Sequence, residues 1–114
     1  MPSAIGRGGG ASPVGNVDGF VSDGNYAAMS GWALDRESIG PISVDVVLDR
    51  RRTFAATVGR PRPDVAALHG IGVDSGFIQE LYGVPSGSHE LCAVARNVGI
   101  GADQILGCRQ FVVK

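Results

Sequence analysis

Two cysteines stand symmetrically about a glycine-containing turn, and they constrain the fold of this 114-residue chain more than any other feature. Cys92 lies in Ser88-His89-Glu90-Leu91-Cys92-Ala93-Val94-Ala95-Arg96, and Cys108 in Gln104-Ile105-Leu106-Gly107-Cys108-Arg109-Gln110-Phe111-Val112-Val113. Asn97-Val98-Gly99-Ile100-Gly101-Ala102-Asp103 runs between them. A hairpin centred on Ile100 pairs residues whose numbers total 200, which sets Cys92 opposite Cys108 at bridging distance. The competing reading is two independent reduced thiols, but random placement rarely gives such a register match. A disulfide here points to an all-β domain built for an oxidising compartment. Closing a segment of about 17 residues contributes about 3 kcal/mol. Leu91, Ala93 and Ala95 share one face with Phe111, Gly107 and Ile105 opposite. That face is expected in the core, which leaves the disulfide nearer the outer one.

The rest of the chain reads as short strands between turns. Glycine contributes 18 residues, and no apolar stripe follows a helical period, which together favour strands joined by tight turns. Residues 1–15 are rich in Gly, Ser and Pro and read as a flexible arm or linker, with one domain over 16–114. Strands are expected over 16–21, 26–34, 42–48, 53–58 and 76–82, followed by the two strands of the cysteine hairpin. The third is the clearest, with Ile42, Val44, Val46 and Leu48 on one face and Ser43 and Asp45 on the other. Pro63 and Gly70 bracket one or two turns of helix near 63–69, with Val65 and Leu68 spaced to pin it to the sandwich. About seven strands imply an all-β domain of two packed antiparallel sheets. Trp32, Phe77 and Phe111 are the expected core anchors.

Charge and motif exclude several classes of function. The net charge of -1 leaves no basic surplus for a phosphate backbone, so nucleic acid is not an expected partner. No run approaches the roughly 18 apolar residues of a membrane span, and residues 1–10 lack the apolar stretch of a secretory signal. Ser75, His89 and Asp74 supply the residue types of a hydrolytic triad, but no Gly-x-Ser-x-Gly elbow accompanies them. His89 is expected to pack beside Phe111 or bond to backbone. Gly70-Ile71-Gly72-Val73-Asp74-Ser75-Gly76 has the wrong spacing for a dinucleotide loop and reads as a plain loop. Two cysteines without a histidine pair make half a zinc site at most, and turn aspartates usually bond their own backbone rather than calcium. No cofactor, metal or catalytic residue is therefore expected. The candidate contact residues are Tyr26 and Tyr82, suited to stacking on sugar rings, and the Arg50-Arg51-Arg52 cluster at a hairpin tip, suited to an anionic polymer or a partner surface.

One ordered set of motifs carries a resemblance. It runs Gly31-Trp32-Ala33-Leu34-Asp35, Val44-Asp45-Val46, Arg62-Pro63-Asp64-Val65, Gly76-Phe77, Gly87-Ser88-His89-Glu90-Leu91-Cys92-Ala93-Val94-Ala95-Arg96-Asn97 and Leu106-Gly107-Cys108. Over residues 16–114 the chain resembles immunoglobulin-like accessory modules of bacterial, especially actinobacterial, secreted and cell-wall-associated proteins. The resemblance implies a non-catalytic targeting, spacing or glycan-binding role, an extracellular or surface location, and cell-wall glycan or another protein surface as partner. The three arginines after Leu48 depart from the glycine-containing turn expected there. The alternative is a virion decoration, tail-associated or other assembly subunit of the same fold.

Overall fold

The computed structural model describes residues 12–38 and 40–114. Among them are β1 (Val14–Asp23), β2 (Tyr26–Leu34), β3 (Val44–Leu48), β4 (Arg52–Ala55), β5 (Thr57–Arg60), α1 (Pro63–His69), β6 (Gly76–Leu81), β7 (Gly87–Ala95) and β8 (Gln104–Val113). Two antiparallel sheets pack face to face, ordered β1-β2-β6-β5 and β4-β3-β7-β8. That order is immunoglobulin-like, with β4 added at the edge of the second sheet. The expected arm falls mainly on residues 1–11, outside the described residues, while Val14 and Gly15 already belong to β1.

Alternation along the strands builds the core. β3 buries Val44, Val46 and Leu48, with Ile42 just ahead of it, as its period-2 pattern predicts. They meet Ala27, Met29, Ala33, Phe77 and Leu81 from the first sheet, and Leu91, Ala93, Ala95, Phe111 and Val113 from the hairpin. Phe77 and Phe111 are buried, at 1% and 7% exposure. The ring of Phe77 lies against Gly31, where any side chain would press on it and collide with the Asn16 carbonyl oxygen.

Trp32 does not anchor the core. Ala27, Met29 and Ala33 take the inward positions of β2, so Trp32 projects from the opposite face. There it is half-buried beneath α1, its ring centroid 5.1 Å from that of His69. The helix is attached through Val65, which is buried, and through His69, one turn further along. Leu68 lies off that face and is 84% exposed, contrary to its expected packing role.

The segment expected as a single strand over 53–58 divides. β4 pairs with β3, whereas β5 pairs with β6 across the sandwich. Ala56 marks the crossing, its N–H donating to the Val44 carbonyl at 2.9 Å. A strand that changes sheets in this way accounts for eight strands where about seven were expected.

The hairpin register totals 200 from Gly87↔Val113 to Ala93↔Gly107, including Cys92↔Cys108. The sulfurs are bonded at 2.10 Å, with the Cα atoms 4.1 Å apart. Leu91, Ala93 and Ala95 are fully buried, while Cys92 is half-buried and Cys108 exposed, so the bridge lies on the outer face. Beyond Ala93 the register slips by one, and Val94 pairs with Ile105. The slip turns Leu106 toward the core and leaves Ile105 69% exposed, reversing its expected place on the inner face.

Candidate functional site

Three connections meet at one end of the sandwich: the β1–β2 turn, the β3–β4 turn and the link from β6 to β7. His89 ties two of them together. Its Nδ1 lies 2.7 Å from Asp49 Oδ2 and its Nε2 2.6 Å from the Pro85 carbonyl. A carbonyl and an ionised carboxylate only accept, so both contacts are hydrogen bonds in the imidazolium form of the ring. The Asp49 carboxylate, and then the Pro85 carbonyl, raise the His89 pKa above the usual 6.5. The same imidazolium, with the Glu90 backbone N–H, holds the Asp49 carboxyl below its usual 3.8. The His89 ring packs 5.4 Å from that of Phe111, and its side chain is only 9% exposed. The link continues to the third connection through the Val84 N–H, which donates to the Asn25 carbonyl at 2.9 Å.

This clamp makes stability depend on pH. His89 has a raised folded pKa, so its contribution is complete below about pH 6.5 and is lost as pH rises through the folded value. Asp49 has a lowered one, so its contribution is present above about pH 4 and is lost as pH falls through its folded value. The clamp is therefore strongest between the two. On raising the pH from about 6 to about 9, the wild-type melting temperature is expected to fall, while a His89→Gln variant shows little of that decline. Near pH 6 that variant is less stable by about 2 kcal/mol. Parallel pH profiles for the two proteins would disprove the clamp.

Tyr26 and Tyr82 come together at this end. The β2–β6 register sets Ala27 opposite Leu81 and carries the tyrosines into adjacent positions just beyond. Their ring centroids lie 5.2 Å apart at an interplanar angle of 54°. Tyr82 is 74% exposed and Tyr26 half-buried. The Tyr26 hydroxyl donates to Glu80 Oε2 at 2.7 Å, and this bond holds the Tyr26 pKa up at about 12. The phenol therefore remains a neutral donor. Glu80 was not singled out in the sequence, although it precedes Tyr82 by two residues and so shares its face. Asp23 pairs with Tyr26 across the β1–β2 turn.

The arginines occupy the tip of the β3–β4 turn. Asp49 and Arg50 have φ of 54° and 59°, and the Arg51 N–H closes the turn onto the Leu48 carbonyl at 3.0 Å. Two residues of positive φ suit a tight hairpin, but arginine there is strained by its Cβ. Arg50 Nε reaches Glu90 Oε1 at 3.2 Å, and Arg52 lies 5.3 Å over the Phe54 ring. Arg51 is exposed and in no ion pair among the described residues.

The remaining chemical candidates lie elsewhere. Asp74 and Ser75 precede the first residue of β6, whereas His89 is held by Pro85 beyond its last, so the strand separates the three. Asp35 is buried and accepts from the backbone N–H groups of Glu37 and Val98, each at 2.9 Å. Glu90 stands beside Cys92 and Cys108, but a disulfide offers no thiolate to a metal.

The molecule is thus an immunoglobulin-like sandwich with a stapled final hairpin and, at one end, a tyrosine pair of which Tyr82 is exposed. Compared with known proteins, no family model, curated protein or solved structure matches the chain.

Proposed function

We propose that this domain is a non-catalytic accessory module that positions a secreted protein against a bacterial cell envelope. The observation that carries the reading is the Tyr26–Tyr82 pair with Tyr82 largely exposed beside a carboxylate. A large aromatic face in water is a stacking surface for the C–H face of a sugar ring, and the adjacent carboxylate accepts from sugar hydroxyls. The clamp at His89 supports the same reading, because it fixes the loops around the pair. The exposed disulfide suits an oxidising, extracellular location. The Arg50–Arg52 tip supplies positive charge for anionic envelope polymer, and among the described residues neither Arg51 nor Arg52 is in an ion pair.

The test is co-sedimentation with purified, insoluble cell-wall material. Wild-type protein is expected to be retained at micromolar concentration. Tyr82→Ala is expected to weaken retention about tenfold, a change of about 1.4 kcal/mol, while the melting temperature stays put, because the side chain is exposed. No retention of the wild type removes the envelope reading.

A second reading, an assembly or virion-decoration subunit, draws on the outer face of β8. Ile105 and Val112 are 69% and 64% exposed there, flanking the disulfide. Sedimentation of the isolated protein as a stable oligomer would favour it, and a monomer at all accessible concentrations would oppose it.

A further inference from the structure

We infer that the corner formed by Tyr26, Tyr82 and Glu80 takes a cationic amine, the alkylammonium group of an amino sugar or of a diamino-acid side chain, in preference to a neutral sugar. This rests on the reading of that corner as the envelope-facing site.

The argument begins with uncompensated charge. Glu80 uses Oε2 to accept from Tyr26, and among the described residues no Lys, Arg or His side chain pairs with it. Asp23, opposite Tyr26 in the register, is also exposed and outside every ion pair among the described residues. Among the described residues none of the three tip arginines forms an ion pair with Glu80 or Asp23: Arg50 is engaged with Glu90, and Arg52 lies over the Phe54 ring. Two carboxylates without cations thus flank two aromatic rings.

The ring faces add to the same preference. An aromatic face is negative, so a cation is drawn to it as well as to the carboxylates. The exposed face of Tyr82 offers that surface, and the tilt of the pair keeps the rings from stacking flat on one another. A neutral sugar gains the stacking but neither of the charge terms. A negatively charged ligand is repelled by both carboxylates.

Two compounds separate the effects cleanly, because glucosamine and N-acetylglucosamine share a ring and differ in the charge of one substituent. Nα-acetyl-lysine amide presents the same ammonium group on a peptide side chain. Each is titrated into isotopically labelled intact protein, and the aromatic resonances of Tyr26 and Tyr82 are followed. Glucosamine or the lysine amide is expected to shift both tyrosines saturably, at least about fivefold more tightly than N-acetylglucosamine. The affinity is expected to drop as salt is raised. Glu80→Gln removes most of the preference for the charged compound without altering the melting temperature. Whichever of the two amines binds more tightly identifies the source, glycan or peptide.

Equal affinity for glucosamine and N-acetylglucosamine overturns the inference while leaving a sugar-binding corner. Retention on cell wall with no tyrosine shift by either amine also overturns it, and the envelope reading survives. Saturable amine binding without cell-wall retention upholds the inference and removes the envelope reading.

Discussion

Replacing Phe77 by alanine is expected to lower the unfolding free energy by about 3–5 kcal/mol. Phe77 is among the largest fully buried side chains, at 1% exposure. It sits on β6 between two pairing strands, opposite Gly31 of β2 and Val58 of β5. Gly31 leaves the space that the ring fills, and the Asn16 backbone closes in behind it. Backbone cannot move inward as a side chain can, so truncation leaves a cavity instead of a collapsed site. A domain of this size has a total stability of about 5–15 kcal/mol, so the loss is a large share of it. Urea unfolding should show the midpoint falling at nearly constant slope. A loss under about 1 kcal/mol would mean that the two sheets do not close on Phe77.

Removal of the disulfide is the second large effect. A Cys92→Ser, Cys108→Ser double variant is expected to lose about 3 kcal/mol, because the bridge closes a loop with a sequence separation of 16. The bridge lies on the outer face, so the loss arises mainly in the unfolded chain. The hydrogen-bonded ladder and the inward Leu91, Ala93 and Ala95 remain as they are. The variant should therefore keep its fold, shown by unchanged dispersion of core amide signals. The stability difference should vanish when wild type and variant are compared under reducing conditions, which separates the covalent effect from that of two serines. A wild type indifferent to reductant would contradict the staple.

What was legible in the sequence was local. The cysteine register and the β3 alternation depend on residues near in the chain, and so does the helix bracketed by Pro63 and Gly70. The structure departs from the sequence pattern where both faces of a strand are apolar or where a distant strand sets the alignment. On β2 both faces carry apolar residues, Ala27, Met29 and Ala33 on one and Ala28, Trp32 and Leu34 on the other. A period of two does not distinguish the faces, and with Ala27, Met29 and Ala33 inward the large Trp32 ring stands on the outer one. The one-residue slip after Ala93 has no marker in composition, and through it Leu106 takes the inward place expected of Ile105.

The site follows the same division. Tyr26, Tyr82 and the three arginines stand out in the sequence by side-chain chemistry alone, and that the tyrosines meet depends on the β2–β6 pairing of segments some 50 residues apart. The packing of His89 beside Phe111 follows from the hairpin register, and its bond to the Pro85 carbonyl spans only four residues of chain. Its bond to Asp49 did not, because that contact requires the β3–β7 register, which brings together segments about 40 residues apart. Long-range registers of this kind are set by the packing of the whole sandwich.

The most direct measurement is the pattern of cross-strand Hα–Hα nuclear Overhauser effects in the last hairpin of the natively oxidised protein. With Cα atoms 4.1 Å apart, Cys92 and Cys108 form a non-hydrogen-bonded pair, whose α-protons lie close together. A strong Cys92–Cys108 cross-peak is predicted, with companions at Glu90–Gln110 and Ser88–Val112, and no free thiol by mass. Cross-peaks from Cys92 to Gly107 or Arg109 in its place would contradict the register on which the hairpin's faces and its staple depend, and two free thiols would contradict the staple itself.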